Sequence, residues 1–229
     1  VNGLDPQGFR SEDWIKNGRQ GAFEVNNFTS PAFIARVNYH GVKGLRVGAS
    51  FYYNQTAKNG TKPWRNTGYK FPVTIVTGDL QYKGFNNNLI VRGNAVYGNL
   101  GESGALTTIN NSSSAASGYP NTTVAQNAVS YGGEAGYNIS SFFNSKAPRI
   151  YPFIRYEYYN PMEKTEANTG LLADKRFQVS AVTAGLNYYA LPNLVIKADY
   201  THRSIGGGKY NDENLVSVGI AYIGWFIKK

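Results

Sequence analysis

Polar and apolar side chains alternate with a period of two along most of this 229-residue chain. Successive side chains of a β-strand point to opposite faces, so such alternation predicts strands with one apolar and one polar face. In "RIYPFIRYEYYNP" (149–161) one face collects Ile150, Pro152, Ile154, Tyr156 and Tyr158. The other collects Tyr151, Phe153, Arg155, Glu157 and Tyr159. The same sorting recurs around 32–40, 45–54, 72–83, 89–97, 129–139, 177–189, 194–203 and 215–226, which predicts about nine strands and an all-β fold.

The connections alternate as well. Short ones, "GVKG" (41–44), "GFNNN" (84–88), "NSKAP" (144–148) and "ALPN" (190–193), carry the Gly, Pro and Asn that tight turns need. Long ones near 1–30, 55–71, 99–128, 160–175 and 204–214 are polar and rich in Gly, Ser, Thr and Asn. Within them, "INNSSSAASGYPNTT" (109–123) reads as a loop too polar to pack a core. Outer-membrane barrels alternate short periplasmic turns with long extracellular loops, whereas a sandwich has no reason to do so.

Aromatic positions point the same way. Tyr39, Tyr53, Tyr82, Tyr97, Tyr137, Tyr158, Tyr188, Tyr200 and Tyr222 all fall on the apolar faces, towards strand ends. That is the placement of an aromatic girdle at a lipid–water boundary. A charge facing lipid at mid-depth costs about 2–4 kcal/mol, so Arg155 is expected to point inward. The expected fold is a transmembrane antiparallel β-barrel in one domain. A soluble sandwich or lipocalin-like carrier is disfavoured, because its core would hold Arg36, Arg155 and Asp199 at several kcal/mol each.

Composition narrows the picture without changing it. The chain is 41% hydrophobic and has no uninterrupted apolar run of about 18 residues, so it predicts no transmembrane helix. It has no cysteine, two histidines and one methionine, which removes disulfides and thiolate metal sites. The net charge of +9 favours anionic partners. No cofactor, metal or nucleic acid is expected.

Inward-facing charges are the candidate functional residues: Arg36, Arg46, Lys83, Arg92, Arg155, Lys197 and Arg203 against Asp79, Glu134, Glu157 and Asp199. Seven positive charges against four predict a lumen with a mild anion preference, since Arg and Lys rings attract anions through a pore. The competing expectation is a lattice of ion pairs that braces the wall or plugs the barrel. In that case the long loops would bind a partner, and the protein would serve for interaction or anchoring.

Together, "VNGLDPQGF", "WIKNGRQ", "YPFIRYEYYNPME", "AGLNYYALPNLVIKADY" and "VGIAYIGWF" resemble the C-terminal half of porins of the phosphate-selective porin superfamily, Bacteroidota type. The resemblance implies a sixteen-stranded barrel, usually a homotrimer, in the outer membrane of a Gram-negative bacterium. There it would pass small hydrophilic solutes by diffusion. Strand parity agrees with it: nine strands, with even-stranded barrels the rule, predict that an odd number of strands precedes Val1. A missed strand around 20–27 would instead complete a ten-stranded barrel. The chain carries no dense lysine ladder of the kind strong phosphate selectivity would need.

Catalysis is not expected. His40 adjoins a short turn and His202 a long loop, which places them at opposite rims. No strand displays a Ser–His pair with a third orienting residue, the minimum for a barrel hydrolase. The first loop clusters Asp5, Glu12 and Asp13 without calcium-loop spacing, and reads as a solvated loop with a helical turn near 11–16. The 99–128 loop is long enough to fold inward and constrict a pore.

Overall fold

The computed structural model describes residues 4, 6–18, 30–56, 70–112, 122–143 and 148–222. Nine antiparallel strands form one sheet in sequence order: β1 (Phe33–Tyr39), β2 (Leu45–Gln55), β3 (Pro72–Gly84), β4 (Leu89–Leu100), β5 (Asn127–Tyr137), β6 (Arg149–Lys164), β7 (Val179–Leu191), β8 (Leu194–Ile205) and β9 (Asp212–Tyr222). The order is linear, with β1 and β9 at its two edges. The all-β expectation and the number of strands hold. Among the described residues no helix is long and apolar enough to cross a membrane. The possible strand at 20–27 lies outside the described residues.

Register follows from turn chemistry. Gly44 takes φ 79° in the β1–β2 turn, and Phe85, Asn86 and Asn87 all have positive φ in the β3–β4 turn. Asn tolerates the left-handed region, which is why an Asn run can close this turn. Neighbouring turns are tied together, with Asn138 Nδ2 donating to Asn88 Oδ1 at 3.0 Å and the Tyr151 hydroxyl to the Asn87 carbonyl at 3.0 Å. The β5–β6 connection is longer than "NSKAP" suggested. β5 stops at Tyr137, and a 3-10 turn, Ile139–Phe142, follows.

The largest departure from the sequence reading is at the long-connection end. The buried cluster contains Phe9, Trp14, Phe71, Val73, Leu100, Leu106, Val124 and Ala125. Two polar segments supply Phe9, Trp14, Leu106, Val124 and Ala125, more than half of it. Residues 6–18, read as solvated, bury Phe9 and Trp14 between the 3-10 turns Pro6–Gly8 and Lys16–Gly18. The connection after β4 holds a helix, α1 (Ser103–Ser112), with Leu106 fully buried and Ile109 packed on the cluster. Its N-terminus is satisfied by the Glu166 carboxylate, which accepts from the Gly104 N–H at 2.5 Å, an anion where the helix dipole favours one.

These segments lock onto each other through buried polar groups. Trp14 Nε1 donates to the Ala125 carbonyl at 3.1 Å, Ser11 Oγ to the Thr123 carbonyl at 2.7 Å, and the Val124 N–H to Thr107 Oγ1 at 3.0 Å. Gly98 on β4 makes room for the Trp14 ring, with which any Cβ there would collide. Residues 6–18, α1 and 122–126 together form a cap on one face of the sheet.

Candidate functional site

Pairing register sorts every strand residue onto one of two faces. Partnered residues share a face, as do residues two apart on a strand. One row runs Arg46, Gln81, Arg92, Glu134, Arg155, Thr183, Thr201 across β2 to β8. The next row outward runs Asn38, Gly48, Asp79, Asn94, Gly132, Glu157, Ala181, Arg203, Glu213. Lys83, Asp199, Lys197 and Arg36 fall in the remaining rows of that face. All eleven charges named from the sequence therefore share one face.

Two charges join them that the sequence reading left out. Glu213 sits opposite Arg203, and Arg149 opposite Tyr189. The face thus carries eight cations and five anions, and the positive surplus persists. Arg149 lies at a strand start and Glu213 beside a loop, where alternation alone is weakest. Register places both on this face.

The carboxylates do not stand alone. Arg36 Nη2 reaches Asp79 Oδ2 at 2.7 Å across β2, and Arg46 Nη2 lies 3.6 Å from Asp79 Oδ1. Arg36 can span a whole strand because the intervening residue is Gly48, where a Cβ would meet both its guanidinium and the Asp79 carboxylate. Arg92 pairs with Glu134 at 3.4 Å, and Arg203 with Glu213 at 2.6 Å. Arg155 Nε is 3.4 Å from Glu157 Oε2, but it makes no hydrogen bond although it is screened from solvent. Lys83, Lys197 and Asp199 form no ion pair among the described residues.

Charges from β2 to β6 surround a hollow of about 480 Å³, lined by Arg46, Asp79, Arg92, Glu134, Arg155 and Glu157 with Asn94 and Gln81. The cap lies over this same face at its long-connection end. Val73, Ile75, Leu100 and Tyr52, on which it packs, alternate in step with Asp79, Arg92 and Arg46.

The opposite face carries all nine tyrosines named from the sequence. Tyr53, Tyr97, Tyr158 and Tyr200 lie towards the long connections, and Tyr39, Tyr82, Tyr137, Tyr188 and Tyr222 towards the short turns. Tyr131, not among the nine, stacks on Tyr158 with centroids 4.9 Å apart. Between the two bands lie exposed Val37, Val76, Leu80, Ile154, Val182, Val216 and Val218. A soluble monomer rarely leaves a contiguous apolar patch above a few hundred Å² exposed to water.

The histidines diverge as expected, His40 at a short-turn end and His202 near a long connection. Against expectation, His202 does meet a serine: Ser204 Oγ lies 3.2 Å from its Nε2. The two residues are two apart on β8, a spacing that reads on the sequence as shared facing. Among the described residues no group of three or more His, Cys, Asp or Glu side chains could hold a metal ion. No protein-family model matches the chain, and no curated protein matches it.

Proposed function

We propose that the chain is the wall of an outer-membrane porin that passes small hydrophilic solutes by diffusion, with a mild preference for anions. The observation that carries this reading is the separation of the two faces. Eight cations and five anions line one, while the other presents exposed Val, Ile and Leu between two bands of tyrosine. Lipid solvates the second face at no cost, and water solvates the first. Lys83 and Lys197, unpaired among the described residues, supply the free positive charge that draws anions.

The cap supports a second reading. Phe9, Trp14 and Leu106 cover the charged face at its long-connection end, so a barrel closed there would be plugged and would act through its loops. Single-channel recording of the protein in planar bilayers separates the two. A porin gives large, stable steps, with a reversal potential in a KCl gradient displaced towards chloride. Absent or tiny steps would sink the porin reading and leave the plugged barrel.

A further inference from the structure

The β8–β9 hairpin holds a hydrogen-bonded chain on the apolar face, just outward of Tyr200, that solute passage does not use. The Tyr200 hydroxyl donates to Asn214 Oδ1 at 2.6 Å, and His202 Nδ1 lies 3.0 Å from the same oxygen. A carbonyl oxygen only accepts, so His202 Nδ1 carries the hydrogen. Nε2 then has its lone pair free, and Ser204 Oγ lies 3.2 Å from it. Serine, imidazole and an orienting amide stand in the order that activates a hydroxyl nucleophile; a neutral Asn serves as third member in some cysteine proteases.

We propose that Ser204, His202 and Asn214 form the nucleophile, general base and orienting residue of an acyl-ester hydrolase acting on long-chain lipid esters. The lipid assignment rests on the reading that the apolar face meets lipid. Val182 pairs with His202, and Val216 with Tyr200, so exposed apolar side chains run from the serine down the same face, where an acyl chain would lie. The imidazole is accessible, with its side chain 47% exposed. The run Gly206–Gly208 follows the serine closely, against the turn Lys175–Phe177. The Gly206 N–H is taken by the Gln178 carbonyl at 2.8 Å, so the Gly207 and Gly208 N–H groups are the donors left for an oxyanion.

Ser204 Oγ attacks the ester carbonyl carbon as its proton passes to His202 Nε2. The tetrahedral intermediate collapses, the carbon–alkoxy bond breaks, and Nε2 returns the proton to the leaving alcohol. Water, deprotonated by the same nitrogen, attacks the acyl-serine, and the carboxylic acid departs with Ser204 restored. Asp212 Oδ1 lies 3.1 Å from Ser204 Oγ and 3.9 Å from Nε2, on the nitrogen opposite Asn214. It competes for the hydroxyl proton in the resting site, and it flanks the imidazolium once formed.

The test treats the purified protein with a fluorophosphonate probe, maps the label by mass spectrometry, and measures fatty-acid release from phospholipid–detergent mixed micelles. The expected result is label on Ser204, with label and release both lost in folded Ser204→Ala and His202→Ala. Release falls by about a thousandfold or more in Ser204→Ala. In Asn214→Ala, kcat falls by about a hundredfold with KM unchanged, and Asn214→Asp restores it. An unlabelled Ser204 in folded protein, or release that persists in Ser204→Ala, would overturn the proposal. Label and short-chain ester cleavage without phospholipid cleavage would overturn the lipid assignment. Conductance recorded on the same preparation keeps the two readings apart: channels with an inert Ser204 sink the hydrolase alone, and an active Ser204 without channels sinks the porin alone.

Discussion

Most charges on one face of the sheet are answered by side chains of other strands, Arg92 by Glu134 on the next strand and Arg36 by Asp79 two strands away, while Val37, Ile154 and Val216 on the opposite face remain exposed. The same backbone produces both. Asn94 and Ala95 are consecutive on β4 and both exposed, yet one borders the charged hollow and the other stands beside Tyr131. Exposure therefore does not distinguish the faces; the chemistry of the exposed side chains does. Water suits paired and unpaired charge alike, and the apolar face suits hydrocarbon.

The cap is the sharpest asymmetry between the faces, and breaking it has the largest expected effect. Trp14→Ala removes a ring that is only 7% exposed, together with its hydrogen bond to the Ala125 carbonyl. Such truncations cost about 3–5 kcal/mol, here within the cap. Hydrogen exchange at α1 should accelerate and conductance should rise. Unchanged exchange with unchanged conductance would show that the cap neither holds α1 nor restricts the charged face.

A matched pair of substitutions probes the sheet itself. Ala95→Arg should lower insertion into bilayers by about 2–4 kcal/mol, whereas Asn94→Arg, one residue away, should be near neutral. Folding titrations into lipid vesicles read the difference. Equal losses at the two positions would break the comparison.

A smaller effect sharpens it. Arg92→Glu combined with Arg155→Glu replaces two cations of the hollow with anions and leaves the apolar face untouched. The reversal potential in a KCl gradient should then move from the chloride side towards potassium. An unmoved potential would mean that ions do not pass these residues.

Much of the sheet was legible because period two is rigid. Once Ile154 is assigned to a face, Arg155 and Glu157 have no freedom, and register carries the choice to Glu134 and Arg92. The cap was not legible. Ser, Gly, Thr and Asn are weak helix formers, so "SGALTTINNS" has no local reason to be α1. It is held by Leu106 in the core and by Glu166 at its N-terminus. Trp14 meets Ala125 across 111 residues of sequence, which no local pattern encodes. His202 and Ser204 could be read as sharing a face, but Asn214 joins them only through the register of the β8–β9 hairpin.

The smallest effect lies outside both faces, in the turn before β7. The Arg176 side chain donates to the Asp174 carboxylate, holding its pKa below the ordinary value, and the Arg176 N–H helps at 2.9 Å. A lowered carboxyl contributes its full share above the ordinary carboxylate range and loses it as pH falls through the lowered pKa. NMR titration of the Arg176 amide should show this loss only at acidic pH, and Asp174→Asn should abolish the step. A step at neutral pH would contradict it.

The proposed porin wall sets one face of the sheet in lipid and the other in water. The chain has no cysteine, so single cysteines placed along β4 from Val91 to Tyr97 carry a spin label or fluorophore without background. In vesicles, access should alternate strictly along the strand. Labels at Val91, Ala95 and Tyr97 should respond to a lipid-soluble quencher, and those at Arg92, Asn94 and Val96 to an aqueous one. Uniform access to the aqueous quencher at all six, or alternation of the opposite phase, would contradict it.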